Sequence, residues 1–292
     1  MVKKLKKAYI EITNVCNLSC AFCPGTSRVP RYMSAAGFET VLQKLSGVTE
    51  HLYFHVMGEP LLHPEVAHFL KLCGTYGYRV NITTNGLLIK EQTENLIASM
   101  ALRQVNFSLH SREKAVNGAE LEIYIEDIFD FTDRALTKGD IYISLRLWNL
   151  SSESAGRYNK LITEKLEKRY KLEIPIMEAI QQTNRIKLCK NLFLSSAEVF
   201  PWPVITSDET GSEGFCRGLR DQVAILVDGT VVPCCLDSDG IIKLGNIYEQ
   251  DIEQIIESER GRELYEGFSR RQAVEELCRK CDYRMRFSKE GL

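Results

Sequence analysis

At 292 residues and 44% hydrophobic content, the chain has material for one large domain, or one plus an appendage, around a sizeable core. A formal net charge of −2 gives no electrostatic case for a nucleic-acid or membrane partner. No stretch approaches the roughly 18–20 apolar residues of a membrane span, and the basic start VKKLKK (2–7) leads into the strand-like AYIEIT, so no signal peptide is expected and the compartment reads as cytoplasmic.

A strand–helix rhythm fills the first 170 residues. KAYIEIT (7–13) reads as a strand that delivers the chain into CNLSCAFC (16–23). A helical pattern at 38–45 separates it from the apolar HLYFHVM (51–57), and a second at 65–76 leads to YRVNITTNG (78–86). Helices at 90–100 and 121–138 flank QVNFSLH (104–110), and IYISLRLWN (141–149) is followed by a helix at 155–170. With NLFLSS (191–196) this makes six strands alternating with helices, the pattern of right-handed βαβ units and a parallel sheet. Six strands are too few for a closed eight-stranded barrel. The expected fold class is therefore α/β, a (β/α)6 partial TIM barrel over 1–198, with ligands at the C-terminal ends of its strands.

VFPWPVITSDETGSEGF (199–215) reads as a linker, with FPWP (200–203) either packed on the core or forming a lid. Residues 216–292 read as a small α+β domain. It is built on a hairpin, VAILVDGTVVPC (223–234), that turns at Asp228-Gly229. The amphipathic helical stretch DIEQIIESERGRELYEGF (251–268) and CRKC (278–281) follow. The lysines at the start and RMRFSK (284–289) read as solvated ends.

Ten cysteines demand a reason, because clustered thiols in a reducing compartment point to metal or redox chemistry. Cys73 and Cys189 stand alone and read as buried small hydrophobes. Cys16, Cys20 and Cys23 form a first group; Cys216, Cys234, Cys235, Cys278 and Cys281 form a second. Four thiolates close a zinc site or an iron–sulfur cluster, whereas three leave one metal position open. The C-x3-C-x2-C spacing does not fit zinc fingers or ribbons, and the first histidine is His51. The remaining reading is a cubane [4Fe–4S] cluster on Cys16, Cys20 and Cys23 whose fourth iron takes a small-molecule chelate.

With Phe22 these cysteines match C-x3-C-x-aromatic-C, and the chain here resembles the radical S-adenosylmethionine (radical SAM) superfamily. MGEP (57–60) is similar to the family's Gly-Gly-Glu-Pro segment, with Met57 in place of the first glycine. The resemblance implies that Gly58, Glu59 and Pro60 hold the methionine amino group, that Asn85 in TTNG (83–86) and Ser108 lie near the ribose, and that Arg146 meets the methionine carboxylate. No G-x-I-x-G-x-x-E segment for the adenine is found. The implied chemistry is reductive cleavage of S-adenosylmethionine to a 5′-deoxyadenosyl radical that abstracts a substrate hydrogen. His110, Arg146, Trp148 and Asn149 stand at strand ends where substrate would sit, and His55 lies within the second strand. Both histidines also fit a hydrogen-bonded core role, while a guanidinium in an apolar strand needs an anionic partner. Arg146 and His110 are the expected catalytic residues.

The second group, Cys216-x12-Gly229-x4-Cys234 followed by Cys278-x2-Cys281, resembles the SPASM/twitch extension of radical SAM enzymes. A full SPASM domain continues with further cysteines, but the next such position is Phe287 and no cysteine follows. The resemblance therefore implies a twitch domain with one auxiliary [4Fe–4S] cluster, two clusters in all, on Cys216, Cys234, Cys278 and Cys281. Cys235 is the alternative to Cys234, and structural zinc is the alternative to the cluster. The layout is similar to that of the twitch-carrying radical SAM dehydrogenase of aminocyclitols. It implies oxidation of a small molecule, with the auxiliary cluster as electron acceptor and a flavodoxin- or ferredoxin-type reductant. Maturation of a ribosomally made peptide, with any leader-binding element on a separate chain, is the second reading. A non-catalytic iron–sulfur or zinc protein is the third.

Overall fold

The computed structural model describes residues 4–113, 118–150, 155–197 and 201–287. The expected barrel–linker boundary at 198/199 and the last residues of RMRFSK lie outside them. The chain forms two compact units, Met1–Val80 with Phe200–Leu292, and Asn81–Val199. The strands and helices make a mixed α/β fold with a largely parallel sheet, as the alternating pattern required.

In the first unit, β1 (Lys7–Ile10) lies between β2 (His51–Phe54) and β8 (Gln222–Ile225) and runs parallel to both. Its Ala8 and Ile10 are fully buried, as expected of a central strand covered on both faces. Helices α1 (Ala35–Lys44) and α2 (Val66–Thr75) cover this part of the sheet, and Phe38 stacks on Phe69 with ring centroids 4.1 Å apart. The Asp228-Gly229 turn joins β8 to the antiparallel β9 (Thr230–Val232), and the short β10 (Gly245–Asn246) pairs with β9. Gly229 has φ +84°, and a Cβ there would sit 2.5 Å from the Tyr248 ring, so only glycine fits. The hairpin is thus no isolated ribbon, since its first strand extends the sheet beside β1. The stretch expected as one helix near 251–268 is two, α7 (Ile252–Ile256) and α8 (Glu259–Ser269). The second starts afresh on the Ser258 cap, with Gly261 pressed so close to the Ile256 carbonyl that a Cβ would lie 2.3 Å away. The short α9 (Glu276–Arg279) follows.

In the second unit the strand order is β3-β4-β5-β7-β6, where β3 is Arg79–Thr84, β4 Leu102–Ser108, β5 Tyr142–Leu147, β6 Arg185–Cys189 and β7 Leu192–Ser196. β4, β5 and β7 are parallel, and β6 closes the edge antiparallel to β7. Helices α3 (Ile89–Ala98), α4 (Gly118–Lys138) and α5 (Gly156–Tyr170) follow β3, β4 and β5 in turn. Phe107 meets Phe131 edge-on at 5.8 Å within this core. Two elements had no sequence expectation: α6 (Ile176–Thr183), which enters after Pro175 and ends on Asn184 at φ 56°, and β6. His110 also lies beyond its strand, in a 3-10 turn at Leu109–Arg112. Cys73 is buried on α2 as expected, but Cys189 is half-buried. No helix among the described residues is long and apolar enough to cross a membrane.

Candidate functional site

The chain leaves β1 through Glu11, a carboxylate only 1% exposed. Both its oxygens accept from Arg28, Nη1 and Nη2 each at 2.7 Å, in the bidentate geometry that suits guanidinium and carboxylate. The same carboxylate accepts the backbone N–H of Met57 and of Val227, each at 3.2 Å. Arg28 Nε donates to the Ser238 carbonyl at 2.8 Å. One buried ion pair therefore joins the end of β1, the segment after β2, the residues after β8, and the loop that carries Cys16, Cys20 and Cys23. Asp239 adds a second clasp, accepting from Thr26 Oγ1 at 2.7 Å and the Ser27 N–H at 2.9 Å. On the other flank Asn14 Oδ1 accepts the Arg31 N–H at 2.7 Å. None of these anchors was foreseen; Glu11 reads in sequence as a polar position in an alternating strand.

The anchors leave the cysteine loop itself outward. Cys16 and Cys23 are exposed and Cys20 and Phe22 half-buried, with Cys20 and Cys23 joined by a 3.0 Å backbone turn. Partial desolvation raises the Cys16 thiol, and the nearby Glu59 carboxylate and Cys23 act in the same direction against the Leu18 N–H. Met57, at the family's glycine position, places its thioether 3.9 Å from Cys23 Sγ. Gly58 has φ +77°, and a Cβ there would sit 2.4 Å from the Thr13 carbonyl. Glu59 is 2% exposed and accepts the Leu61 N–H at 3.0 Å, while its own N–H donates to the Val15 carbonyl at 2.9 Å. MGEP is thus packed directly against the cysteine loop.

The later cysteines gather at a second place in the same unit. Burial, then Cys235, Cys216, Cys281 and Cys278, pushes the Cys234 thiol well up; burial, then Cys216 and Cys281, does the same to Cys278, and burial and Cys216 among others raise Cys281 to about 11. Cys216 is raised by burial against the N–H groups of Gly218 and Arg217. Cys235 packs on the buried Tyr9, whose ring also carries Lys7 Nζ at 5.0 Å, and it stays close enough to act on Cys234 and Cys216. Among the described residues no three His, Cys, Asp or Glu side chains converge on a single metal-ion position. As donor sets, the three thiols of the outward loop and the four half-buried thiols gathered with Cys216 suit groups that take one thiolate per iron.

In the second unit, Asn85 is nearly buried, its Oδ1 accepting the Leu87 N–H at 3.0 Å and its carbonyl accepting Tyr124 Oη at 2.8 Å. Ser108 ends β4 and Arg146 lies on β5, directly paired in register. The Arg146 guanidinium lies 4.9 Å from the centroid of the Trp148 ring, and His110 stacks on the same ring at 5.8 Å. His110 Nδ1 donates to the Arg146 carbonyl at 3.2 Å, which fixes the neutral tautomer with Nε2 as acceptor. Burial lowers its pKa to about 4. Asn149 donates to Glu113 at 2.9 Å. In the first unit, the His55 ring lies 6.0 Å from Tyr9.

Comparison with known proteins fits this geometry. Residues 10–143 match the radical SAM superfamily model and residues 216–282 match SPASM, the iron–sulfur cluster-binding domain. The chain carries a radical SAM domain and a SPASM domain. These domains bring [4Fe–4S] clusters and S-adenosylmethionine as cofactors. A probable GTP 3′,8-cyclase of Pyrobaculum aerophilum is 31% identical over 156 residues, covering 50% of this chain and 47% of that relative; the chain thus matches about half the relative's length. Among solved structures, BtrN in complex with AdoMet and 2-DOIA is similar at 18% identity and TM-score 0.58, covering 97% of this chain and 94% of that one. Streptococcus suis SuiB bound to precursor peptide SuiA is similar at 16% identity and TM-score 0.55, covering 100% and 74%. At these identities the likeness is one of fold.

Two outcomes are expected. Glu11→Ala strands the Arg28 guanidinium and two backbone N–H groups at a cost of about 3–5 kcal/mol. The urea midpoint drops and the loop loses its iron; an unchanged midpoint with full iron would contradict the anchor. His110 has its folded pKa depressed below the ordinary 6.5, so its contribution to stability is present above pH 6.5 and lost as pH falls towards 4. The urea midpoint should fall across that window, and His110→Phe should flatten the decline to the part due to other groups. Equal slopes would contradict a buried neutral His110.

Proposed function

We propose that this radical SAM enzyme oxidises a C–H bond of a small molecule, holding one cluster on Cys16, Cys20 and Cys23 and an auxiliary cluster on Cys216, Cys234, Cys278 and Cys281. The observation that carries the reading is the gathering of four half-buried cysteines in the same unit as the three of the first loop. A site closed by four thiolates has no open iron for substrate, which leaves electron transfer as its use. When bound, the first cluster with S-adenosylmethionine would supply hydrogen-atom abstraction, and the auxiliary cluster would supply a one-electron acceptor.

The chain's own residues do the rest. Glu59, buried beside Cys16, takes the methionine amino group, with Gly58 and Pro60 shaping the approach and Phe22 screening the loop. Asn85 and Ser108 take the ribose, and Arg146, its charge fixed at any working pH, takes the methionine carboxylate. His110 is neutral at pH 7, and its Nε2 accepts the proton lost on oxidation. A flavodoxin- or ferredoxin-type protein supplies the reducing electron, and a reducing cytoplasm suits thiolate-held clusters.

The second reading, oxidation or thioether crosslinking of a ribosomally made peptide, is supported by the fold-level likeness to SuiB over the whole chain. A panel of aminocyclitols and of precursor peptides, assayed for 5′-deoxyadenosine release above the substrate-free level, separates the two. Cys16→Ala should abolish S-adenosylmethionine cleavage under dithionite. Cys278→Ala should keep uncoupled cleavage yet lose substrate oxidation by at least a hundredfold; normal turnover in this variant would contradict the electron-acceptor role.

A further inference from the structure

Arg284 was expected among the solvated residues of RMRFSK. Instead it is 1% exposed and the bulkiest fully buried side chain among the described residues. It stands in the 3-10 turn Asp282–Phe287, three residues past Cys281. Its Nε donates to the Cys278 carbonyl at 3.0 Å, and Nη1 and Nη2 donate to the carbonyls of Glu213 and Gly211. These use three of the five guanidinium N–H donors, and the others have no acceptor among the described residues. Gly214, at φ +146°, makes room for the head, since a Cβ there would lie 2.5 Å from Nη1.

No carboxylate among the described residues pairs with this cation. Its neighbours differ: Arg217 is held by Asp221 at 2.6 Å, and Arg260 by Glu275 at 2.6 Å. A guanidinium cannot shed its proton, so burying one without an anion costs several kcal/mol. The anion must therefore come from what Arg284 faces, and that is the thiol group: its charge acts on Cys216 and Cys281, and its backbone N–H points at Cys281 Sγ. Neutral thiols give no counter-charge. A tetrathiolate iron–sulfur cluster is an anion, and becomes more negative by one charge on reduction.

We infer that Arg284 is the buried counter-cation of the auxiliary cluster, a positioning residue that raises its reduction potential and thereby makes it an electron acceptor. The inference rests on the assignment of Cys216, Cys234, Cys278 and Cys281 as ligands. A fixed positive charge stabilises the reduced cluster more than the oxidised one, and the Arg284 backbone N–H aimed at Cys281 Sγ acts in the same direction. The backbone contacts hold the guanidinium in place, while its charge sets the potential.

The test uses the full chain with Cys16, Cys20 and Cys23 replaced by alanine, so that one cluster is read alone. After anaerobic reconstitution, iron is counted and the cluster titrated by EPR-monitored redox potentiometry. The parent should hold about four irons. Arg284→Gln should keep them while its reduction equilibrium constant falls at least tenfold, about 59 mV for one electron. Arg284→Lys, which keeps the charge, should fall less than threefold. Arg284→Gln with full iron and an unchanged potential would overturn the inference. If Arg284→Gln fails to fold, parent protein labelled with arginine carrying 15N only in its guanidinium decides: a guanidinium 15N hyperfine coupling to the reduced cluster supports the contact, and its absence overturns it. A parent without iron would overturn the ligand assignment itself, a distinct result.

Discussion

A single carboxylate sets the terms for this protein's metal-binding half. Glu11 sits where β1 gives way to loop, buried, with Arg28 across both oxygens and two backbone N–H groups from distant segments on the same atoms. A buried ion pair of this kind adds little net stability against an apolar replacement, but breaking one partner is costly. Its value is specification. The cysteine loop has few apolar residues to pin it, and the Glu11–Arg28 pair fixes its return path against the segments after β2 and β8 without covering the thiols. The loop that would hold S-adenosylmethionine and the domain that would hold the second cluster thus share one anchor, reinforced where Asp239 clasps Thr26 and Ser27.

The two thiol sets contrast in ways that follow from their tasks. The first lies on an outward loop, with Cys16 and Cys23 exposed, and carries three thiols, because a small molecule must reach the open iron. The second is half-buried and carries four, and its surroundings are arranged for charge: N–H groups aimed at Cys216 and Cys281, and an arginine with no carboxylate partner among the described residues. Burial alone would penalise an anionic centre. Fixed donors and a fixed cation offset that penalty, and more so after an electron arrives.

Periodicity carried most of the fold. The six expected strands and five expected helices lie within a few residues of their places because each has a strong apolar rhythm. The hairpin that extends the sheet through β8 could not be placed by local pattern, since strand partnership is a long-range choice. The α6–β6 excursion is short and leaves too few periods to read. At the site, the cysteines and MGEP were legible because chemistry fixes residue type and spacing together. Glu11, Arg28 and Asp239 were not, for their partners lie up to some two hundred residues away. Arg284 was misread outright: a basic residue near a chain end looks solvated, and only the cradle of carbonyls around it says otherwise.

The central claim is that three plus four cysteines hold two iron–sulfur clusters. It is tested most directly by anaerobic reconstitution, with iron, sulfide and zinc counted per chain for the protein and for a variant lacking Cys16, Cys20 and Cys23. About eight irons, falling to about four in the variant, is the predicted result. About four irons with one zinc, and a variant left with zinc alone, would contradict it and make the buried set a structural metal site.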